Sequence, residues 1–405
     1  MKHTPFLMAA LAALSLASAS ATTTYVTGST AFEAQADKAF TNFISATGGS
    51  VQASDNASLG SEANIVFVYG TPATNYIIAH WSGSEAGVQA IDSPATNTTY
   101  VTNFFSTSVT GGQGGASASL ATNSAAAQIA FSDTFYQSSQ FRPGKHAGDG
   151  KTYGTPSKDY IVALQGFAFY GSTNFPVTNI TSQQIRNVYA AGFESLAFVT
   201  GKAADETNTI WSVGRNPDSG TRIQAQSESG IGATAAVNQG QVVGGNTLVQ
   251  YPAGTVDGIS YAAGNNGYSS TGTLLAALTN PTVVGGNWDA SAQYYSGGAD
   301  GSGSNFVVGY AAASKIGTVG TVALSYNGVA ASTANITNGL YTFWGYEHIL
   351  VSPSYSDATA SNVANGIQGF LTNATSSFLG SGNASVTDGV NVTRSTDGGV
   401  VTQNY

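Results

Sequence analysis

One short stretch of this sequence combines the residue types that proteins use to hold anions. In "GRNPDSGT" (214–221), Arg215 precedes a Ser-Gly-Thr run, with a strand-like segment before it and a helical pattern after it. The N–H groups of a first helical turn have no intrahelical partner, and the helix dipole makes that end partly positive. A guanidinium adds full charge and a two-pronged donor. The stretch therefore predicts an oxyanion site; a surface ion pair between Arg215 and Asp218 is the alternative.

Two other turns repeat the order of strand, Gly- and hydroxyl-rich turn, and helix. They lie in "YVTGSTAFE" (25–33) and "AHWSGSEAGVQ" (79–89), and the strand "QIAFSD" ends on Asp133. Each turn alone is typical of a helix N-cap, and Asp133 alone fits a turn cap. Taken together with the arginine stretch, they predict the walls of one shared oxyanion pocket.

Composition restricts the classes of partner. The 405 residues include 12 Lys plus Arg and 21 Asp plus Glu, a net charge of −9, which argues against nucleic acid and anionic membrane surfaces. There are no cysteines, which excludes disulfides and thiolate metal sites. His80, His146 and His348 are scattered without ligand spacing, so we expect no metal and no cofactor. Glu347, beside His348, is interpreted as a helix start and not as half of a catalytic pair.

The first residues predict export. "MKHTPFLMAALAALSLASASA" has a basic start, an apolar run, and an A-x-A sequence that ends at Ala21. We expect a signal peptide over residues 1–21 and a mature chain that is free in the periplasm or outside the cell. The apolar run is too short to span a bilayer, although a retained anchor is the alternative.

The remaining pattern predicts an α/β fold class. Strand-like and helix-like segments alternate, which favours mixed, mostly parallel sheets flanked by helices. Thr30-x-x-Glu33 and Thr181-x-x-Gln184 predict capping boxes. The long apolar strand at 160–171 suits a crossing between two domains, and the Gly/Ser-rich stretch at 92–127 predicts a long surface loop.

In their order along the chain, these motifs resemble the periplasmic phosphate-binding proteins of ABC importers. The resemblance covers most of the chain from about residue 25 to 350, and includes "TGSTAF", "SGSEAGVQAI", "IAFSD", "ITSQQIRNVYAAG", "IWSVGRNPDSGT" and "FVVGYAAASK". It implies a two-lobe type 2 periplasmic-binding-protein fold with two crossover strands. Lobe one would comprise residues 22–163 and 311–405, and lobe two residues 164–310.

The resemblance also implies roles for individual residues. Arg215 would be the cationic partner, Asp133 would accept a proton from bound hydrogen phosphate, and Ser84 would donate from its hydroxyl. Backbone or hydroxyl donors would come from Phe32 and from Ser219, Gly220 and Thr221, with Ser29 or Thr30 as the first-loop hydroxyl. A carboxylate beside a buried anion is costly unless the anion has a proton to donate, which favours hydrogen phosphate over sulfate.

Three departures from the family pattern leave a second hypothesis open. Ala31 stands where the family offers a hydroxyl, Glu85 where it has a small residue, and Pro217 where it often has an acid. Glu85 would repel an anion unless it points away. The first hypothesis is an exported monomeric binding protein, without enzymatic activity, that captures phosphate for an ABC permease. The alternative is a non-transport surface or extracellular protein with a glycan or protein partner; a phosphate-ester hydrolase lacks an evident metal cluster or nucleophile.

Overall fold

The computed structural model describes most of the chain after the predicted signal peptide, over residues 22–47, 52–59, 62–69, 75–92, 98–101, 122–146, 148–279, 284–285, 303–354, 358–374, 379–387 and 389–404. Residues 1–21 and most of the loop predicted at 92–127 lie outside these ranges. Within them, no helix combines the length and the apolar character that a membrane span requires.

The described residues form eight α-helices, most of which flank the sheets. Their bounds are α1 Glu33–Ala46, α2 Ser84–Asp92, α3 Ser182–Ala191, α4 Ala197–Thr200, α5 Gly220–Glu228, α6 Thr271–Leu278, α7 Thr333–Thr337 and α8 Ala358–Thr372.

The strands come in chain order between these helices. The first twelve are β1 Thr23–Gly28, β2 Gln52–Leu59, β3 Glu62–Tyr69, β4 Asn75–Trp81, β5 Thr98–Val101, β6 Thr122–Ala125, β7 Ile129–Ser132, β8 Gly144–Lys145, β9 Thr152–Tyr153, β10 Lys158–Ser172, β11 Asn179–Ile180 and β12 Phe193–Ser195. The others are β13 Thr209–Ser212, β14 Gly240–Val243, β15 Thr247–Gln250, β16 Gly254–Val256, β17 Ile259–Tyr261, β18 Val284–Gly285, β19 Asn305–Ala312, β20 Thr321–Tyr326, β21 Trp344–Val351, β22 Asn383–Ser385, β23 Val392–Thr393 and β24 Thr402–Gln403.

Of the two predicted capping boxes, one is confirmed and the other is wrong. At α3, Thr181 Oγ1 accepts from the Gln184 N–H at 3.3 Å, and Gln184 Oε1 accepts from the Thr181 N–H at 2.9 Å. Helix α1 instead begins at Glu33, directly after its N-cap residue Phe32, and no side chain caps it. The reason is tertiary, because the Thr30 hydroxyl accepts hydrogen bonds from Arg215.

A single mixed sheet runs through the molecule, with the order β12-β13-β19-β10-β21-β7-β1-β4-β3-β2. The α/β class is therefore confirmed, with helices flanking a mixed sheet. The majority of parallel pairings that we expected is not found in the described residues. Parallel pairs join β1 to β4 and β7, and β13 to β19, whereas the long strand β10 pairs antiparallel with four neighbours.

Strand β10 connects the two halves of this sheet. Its first part, 158–166, pairs with β21, which in turn pairs with β7. Its last part, 167–172, pairs with β19 and β20. The uninterrupted apolar pattern of this strand follows from its burial: every residue from Val162 to Gly171 is buried. The chain thus passes from one half to the other within one continuous strand.

Each half has its own apolar core. In the first half, α1 and α8 cover the sheet over a cluster that includes Val26, Phe40, Phe131 and Ile367, all fully buried. In the second half, another cluster surrounds Phe169, and β10 and β21 contribute residues to both clusters. Two cores that are joined by a pair of strands are compatible with closure about a hinge.

The predicted lobe boundaries remain a prediction, and the strand pairings suggest a change to one of them. Strands β19 and β20, over 305–312 and 321–326, pair with the last part of β10 and with β13 and β11. The pairings with β7 begin only in β21. We therefore propose that the chain returns to the first half near Phe343, about thirty residues later than the predicted boundary at 311.

Candidate functional site

Asp133 lies in a buried polar cluster directly after β7. Its Oδ1 accepts from the Ser84 hydroxyl at 2.6 Å, and its own N–H donates to the same Ser84 oxygen at 3.1 Å. Its Oδ2 accepts from the Thr221 hydroxyl at 3.3 Å. Ser84 begins α2 in the first half, while Thr221 lies in the first turn of α5 in the second half. Asp133 therefore joins the two halves.

Gly220 lets the start of α5 approach this carboxylate. A Cβ at Gly220 would lie 1.6 Å from Asp133 Oδ1 and 2.8 Å from Ser84 Cβ, so no larger residue fits without movement. The carboxylate thus lies at the partly positive end of α5, where helix N-termini hold anions.

The turn before α2 and the turn before α5 are also in direct contact. The Glu85 N–H donates to the Asp218 carbonyl oxygen at 2.9 Å. Gly83 has a φ of +124°, and a Cβ there would lie 2.5 Å from the same carbonyl oxygen. The two turns are in contact over Asp133, and separating the halves at this point requires the backbone hydrogen bond to break.

Arg215 lies on the other side of the site, 1% exposed, between the two halves. Its Nη1 and Nη2 both donate to Thr30 Oγ1 at 3.4 Å, and Nη1 also donates to Thr271 Oγ1 at 3.0 Å. Nε and Nη2 donate to the carbonyl oxygens of Tyr268 and Ser269 at 3.0 and 2.8 Å. These acceptors are uncharged oxygens, and together they hold the guanidinium in place.

The remaining predicted residues lie in the same region. Ser29 is buried and donates its N–H to the Phe131 carbonyl oxygen at 2.9 Å. Phe32 is fully buried at the start of α1, and its ring lies 6.3 Å from that of Phe131. Ser219 is buried as the N-cap of α5, without a side-chain capping bond. The structure therefore brings together the segments that carry all nine predicted residues, while their role in binding remains a prediction.

Burial dominates the electrostatics of Asp133. It raises the pKa of Asp133 to about 6, and the nearby carboxyl of Asp397 acts in the same direction. The hydrogen bonds from Ser84 and Thr221 and the positive charge of Arg215 lower the pKa and offset part of that rise. Near pH 6, Asp133 is therefore a mixture of its ionised and protonated forms. Its carboxyl group lies at the start of α5.

Asp397, in the C-terminal segment, was missed by the sequence analysis. Its Oδ2 accepts from the Phe135 N–H at 3.0 Å, and its Oδ1 accepts from Gln224 Nε2 at 2.6 Å. Gln224, on α5, also donates to the Asp133 carbonyl oxygen at 2.6 Å. The C-terminal segment thereby ties α5 to the loop after β7. No local motif could have indicated it, because Asp397 and Phe135 are 262 residues apart in sequence.

Glu347 is a second acidic group that sequence reasoning interpreted wrongly. It lies in strand β21, not at a helix start, and it is fully buried. Burial raises the pKa of Glu347 well above its usual value, as does the proximity of Asp133, while the Ser29 hydroxyl acts in the opposite direction. Its neighbour His348 points to the opposite face of the strand, where Nδ1 lies 2.7 Å from Asp159 Oδ1.

Glu85, a departure from the family pattern, turns away from the site. Its Oε2 accepts from the Ser139 hydroxyl at 2.9 Å and from the Gln140 N–H at 3.0 Å. Burial raises the pKa of Glu85 to about 8. At neutral pH the group is therefore mostly uncharged, and it does not repel an anion near Ser84. Among the described residues, no group of three or more acidic or histidine side chains could hold a metal ion.

No family model and no curated protein matches this chain. It is similar to a substrate-binding protein of phosphate ABC transport from Clostridium perfringens, solved with bound phosphate (14% identity, 85% of this chain and 92% of that one, TM-score 0.46). It is also similar to an ABC-type phosphate transport receptor from Vibrio cholerae (13% identity, 85% of this chain and 93% of that one, TM-score 0.42). A third similar structure is PstS from Borrelia burgdorferi (12% identity, 88% of this chain and 95% of that one, TM-score 0.39).

Proposed function

We propose that this protein is an exported solute-binding protein that captures hydrogen phosphate between its two halves. One observation carries the proposal. Arg215 and Asp133, each 1% exposed, are held on facing turns by hydroxyls that come from both halves. A fixed, desolvated cation next to an acceptor and several hydroxyl donors is the arrangement that binds a protonated oxyanion.

Each residue has a separate task in this proposal. Arg215 supplies the charge, and the Thr30 hydroxyl donates to an oxygen of the anion. The hydroxyls of Ser84 and Thr221, which donate to Asp133 in this structure, would turn to the oxygens of the anion when it binds. The N–H groups at the starts of α1 and α5 add donors along the helix axes. Thr30 contacts Arg215 only at 3.4 Å, so an anion oxygen can replace this weak contact with a charge-assisted one.

Asp133 would select the protonation state of the ligand. With a pKa raised to about 6, it is largely ionised at neutral pH and accepts a hydrogen bond from an anion that has one to give. Hydrogen phosphate and hydrogen arsenate carry such a proton, whereas sulfate would place two acceptors against each other. Discrimination therefore comes from an unfavourable contact with the wrong anion.

Binding and release would follow from opening the halves around β10 and β21. The closed form is held by the bond from Glu85 to Asp218 and by the contacts of Asp133 with Ser84 and Thr221. An anion that contacts both halves stabilises this closed form and shifts the population toward it. Such a cycle needs no covalent step, and it suits delivery to an ABC permease by a monomeric carrier.

Titration calorimetry on protein stripped of ligand by unfolding and refolding tests the proposal. We expect phosphate and arsenate to bind, sulfate to bind at least about tenfold more weakly, and Arg215→Ala to abolish the heat. Arg142→Ala, which removes an exposed arginine, is the matched control and should bind as the wild type does. The absence of heat with every tetrahedral anion would refute the proposal. Binding to glycans or cells that survives Arg215→Ala would favour the non-transport alternative.

A further inference from the structure

A cavity of about 450 Å³ lies between the starts of α1 and α6. Its lining includes Thr30, Glu33 and Gln35 from the first half, and Thr271 and Lys315 from the second. Cavities of this size, roughly 300–1,000 Å³, are typical of sites for small organic ligands.

The cavity borders two of the hydroxyls that hold Arg215. Thr30 and Thr271 both line it, and both accept hydrogen bonds from Arg215 Nη1, at 3.4 and 3.0 Å. A ligand whose anionic group contacts the guanidinium would therefore have its next atoms at these two hydroxyls. A hydroxyl that accepts from Arg215 still has its own hydrogen to donate toward the cavity.

Inorganic phosphate alone does not account for this space. On the Asp133 side, Gly220 packs so closely that a Cβ would lie 1.6 Å from the carboxylate oxygen. The cavity instead lies on the Arg215 side of the two facing turns, at Thr30 and Thr271. A tetrahedral anion at Arg215 would leave most of 450 Å³ for another part of the ligand.

The lining indicates the chemistry of that other part. Hydroxyls and an amide, from Thr30, Thr271 and Gln35, alternate with small residues such as Ala34 and Gly272. Glu33 and Lys315 add one acceptor group and one donor group. These polar groups can satisfy several hydroxyls of a ligand, while Leu275 and Ala312 in the same lining offer apolar contacts to its carbon atoms.

We propose that the ligand of this protein is a phosphate monoester of a small polyol or sugar, with its phosphoryl group at Arg215 and its hydroxyls in the cavity. The inference rests on the proposed oxyanion function and names its substrate class. The second pKa of a monoester is about 6, so near pH 6 about half of its molecules keep one proton on the phosphoryl group. In that singly protonated form the ester can present a hydrogen to Asp133.

The test compares glycerol 3-phosphate and glucose 6-phosphate with inorganic phosphate by titration calorimetry. We expect at least one ester to bind about tenfold or more tightly than phosphate. Ala34→Phe and Gly272→Phe place a ring in the cavity from exposed helix positions. We expect each variant to lower ester affinity by about tenfold or more while phosphate affinity stays within about threefold. Ala191→Phe, at the exposed end of α3, is the matched control.

The outcomes separate this inference from the function on which it rests. If phosphate binds and neither ester binds more tightly, the inference is wrong and the oxyanion function stands. The same holds if the two cavity variants change ester and phosphate affinity equally. If no phosphate compound binds while circular dichroism shows a folded protein, both proposals are wrong.

Discussion

The Asp133 side and the Arg215 side of the site differ in packing and in charge. Around Asp133 the packing leaves no room for a Cβ at Gly220, and Asp397 and Glu347 add buried acidic groups nearby. Around Arg215 the partners named above are uncharged oxygens, and an open cavity adjoins them. We therefore expect the Asp133 side to govern protonation and closure, and the Arg215 side to govern the charge and the size of the ligand.

The largest effect is expected where the packing is tightest. Gly220→Ala places a Cβ 1.6 Å from Asp133 Oδ1, so α5 or the carboxylate must move. Overpacking of this kind costs about 1–3 kcal/mol, and we expect affinity for phosphate to fall by about 10- to 100-fold. Titration calorimetry measures the change.

Gly272→Ala is the matched control for this substitution. It lies in the first turn of α6, where the nearest atom to an added Cβ is Ser270 Oγ at 3.8 Å. We expect it to leave phosphate affinity unchanged. Equal affinities for both alanine variants would show that the contact between α5 and Asp133 is not part of the binding site.

The next effect concerns which anion is chosen. Asp133→Asn replaces an acceptor-only carboxylate with an amide that also donates. Sulfate then no longer meets a negative charge like its own. We expect the preference for phosphate over sulfate to fall by about tenfold, mainly through tighter sulfate binding. Asp205→Asn, in a loop remote from the site, serves as the control. An unchanged preference would remove Asp133 from the account of selectivity.

The smallest effect is a pH dependence of stability. Burial raises the pKa of Glu85 from its ordinary value to about 8, so the folded protein binds more protons than the unfolded chain between about pH 4.5 and 8. The free energy of unfolding must then fall as pH rises through this window, by on the order of 1 kcal/mol per pH unit from this group.

Urea unfolding of wild type and Glu85→Gln at several pH values measures this contribution. We expect the Glu85→Gln curve to fall less steeply with pH. Asp133 and Glu347 contribute in the same direction, so some slope remains in that variant. Parallel curves would mean that Glu85 is not held in its uncharged form.

Sequence reasoning found the parts of the site that belong to local motifs. The turns before α2 and α5 and the strand that ends on Asp133 have recognisable patterns, because Gly and hydroxyl residues at a helix start are needed by local backbone geometry. The capping box at Thr181 was found for the same reason, and the one at Thr30 failed because Arg215 takes its hydroxyl.

What sequence reasoning missed depends on tertiary packing. Asp397 reaches the site from the C-terminal segment. Glu347 is an acidic residue that is buried because it lies in a central strand. Neither the contact of Asp397 nor the burial of Glu347 can be predicted from the spacing of residues in the sequence. The antiparallel pairing of β10 was equally hidden, because its direction depends on which distant strands become its neighbours.

The most direct measurement is a crystal structure of the stripped protein with arsenate, whose arsenic atom is located by its anomalous scattering. The account predicts one strong anomalous peak between Arg215 and Asp133, with oxygens within about 3 Å of the guanidinium and of the Ser84 and Thr221 hydroxyls. An anomalous peak elsewhere in the molecule, or none at saturating arsenate, would contradict it.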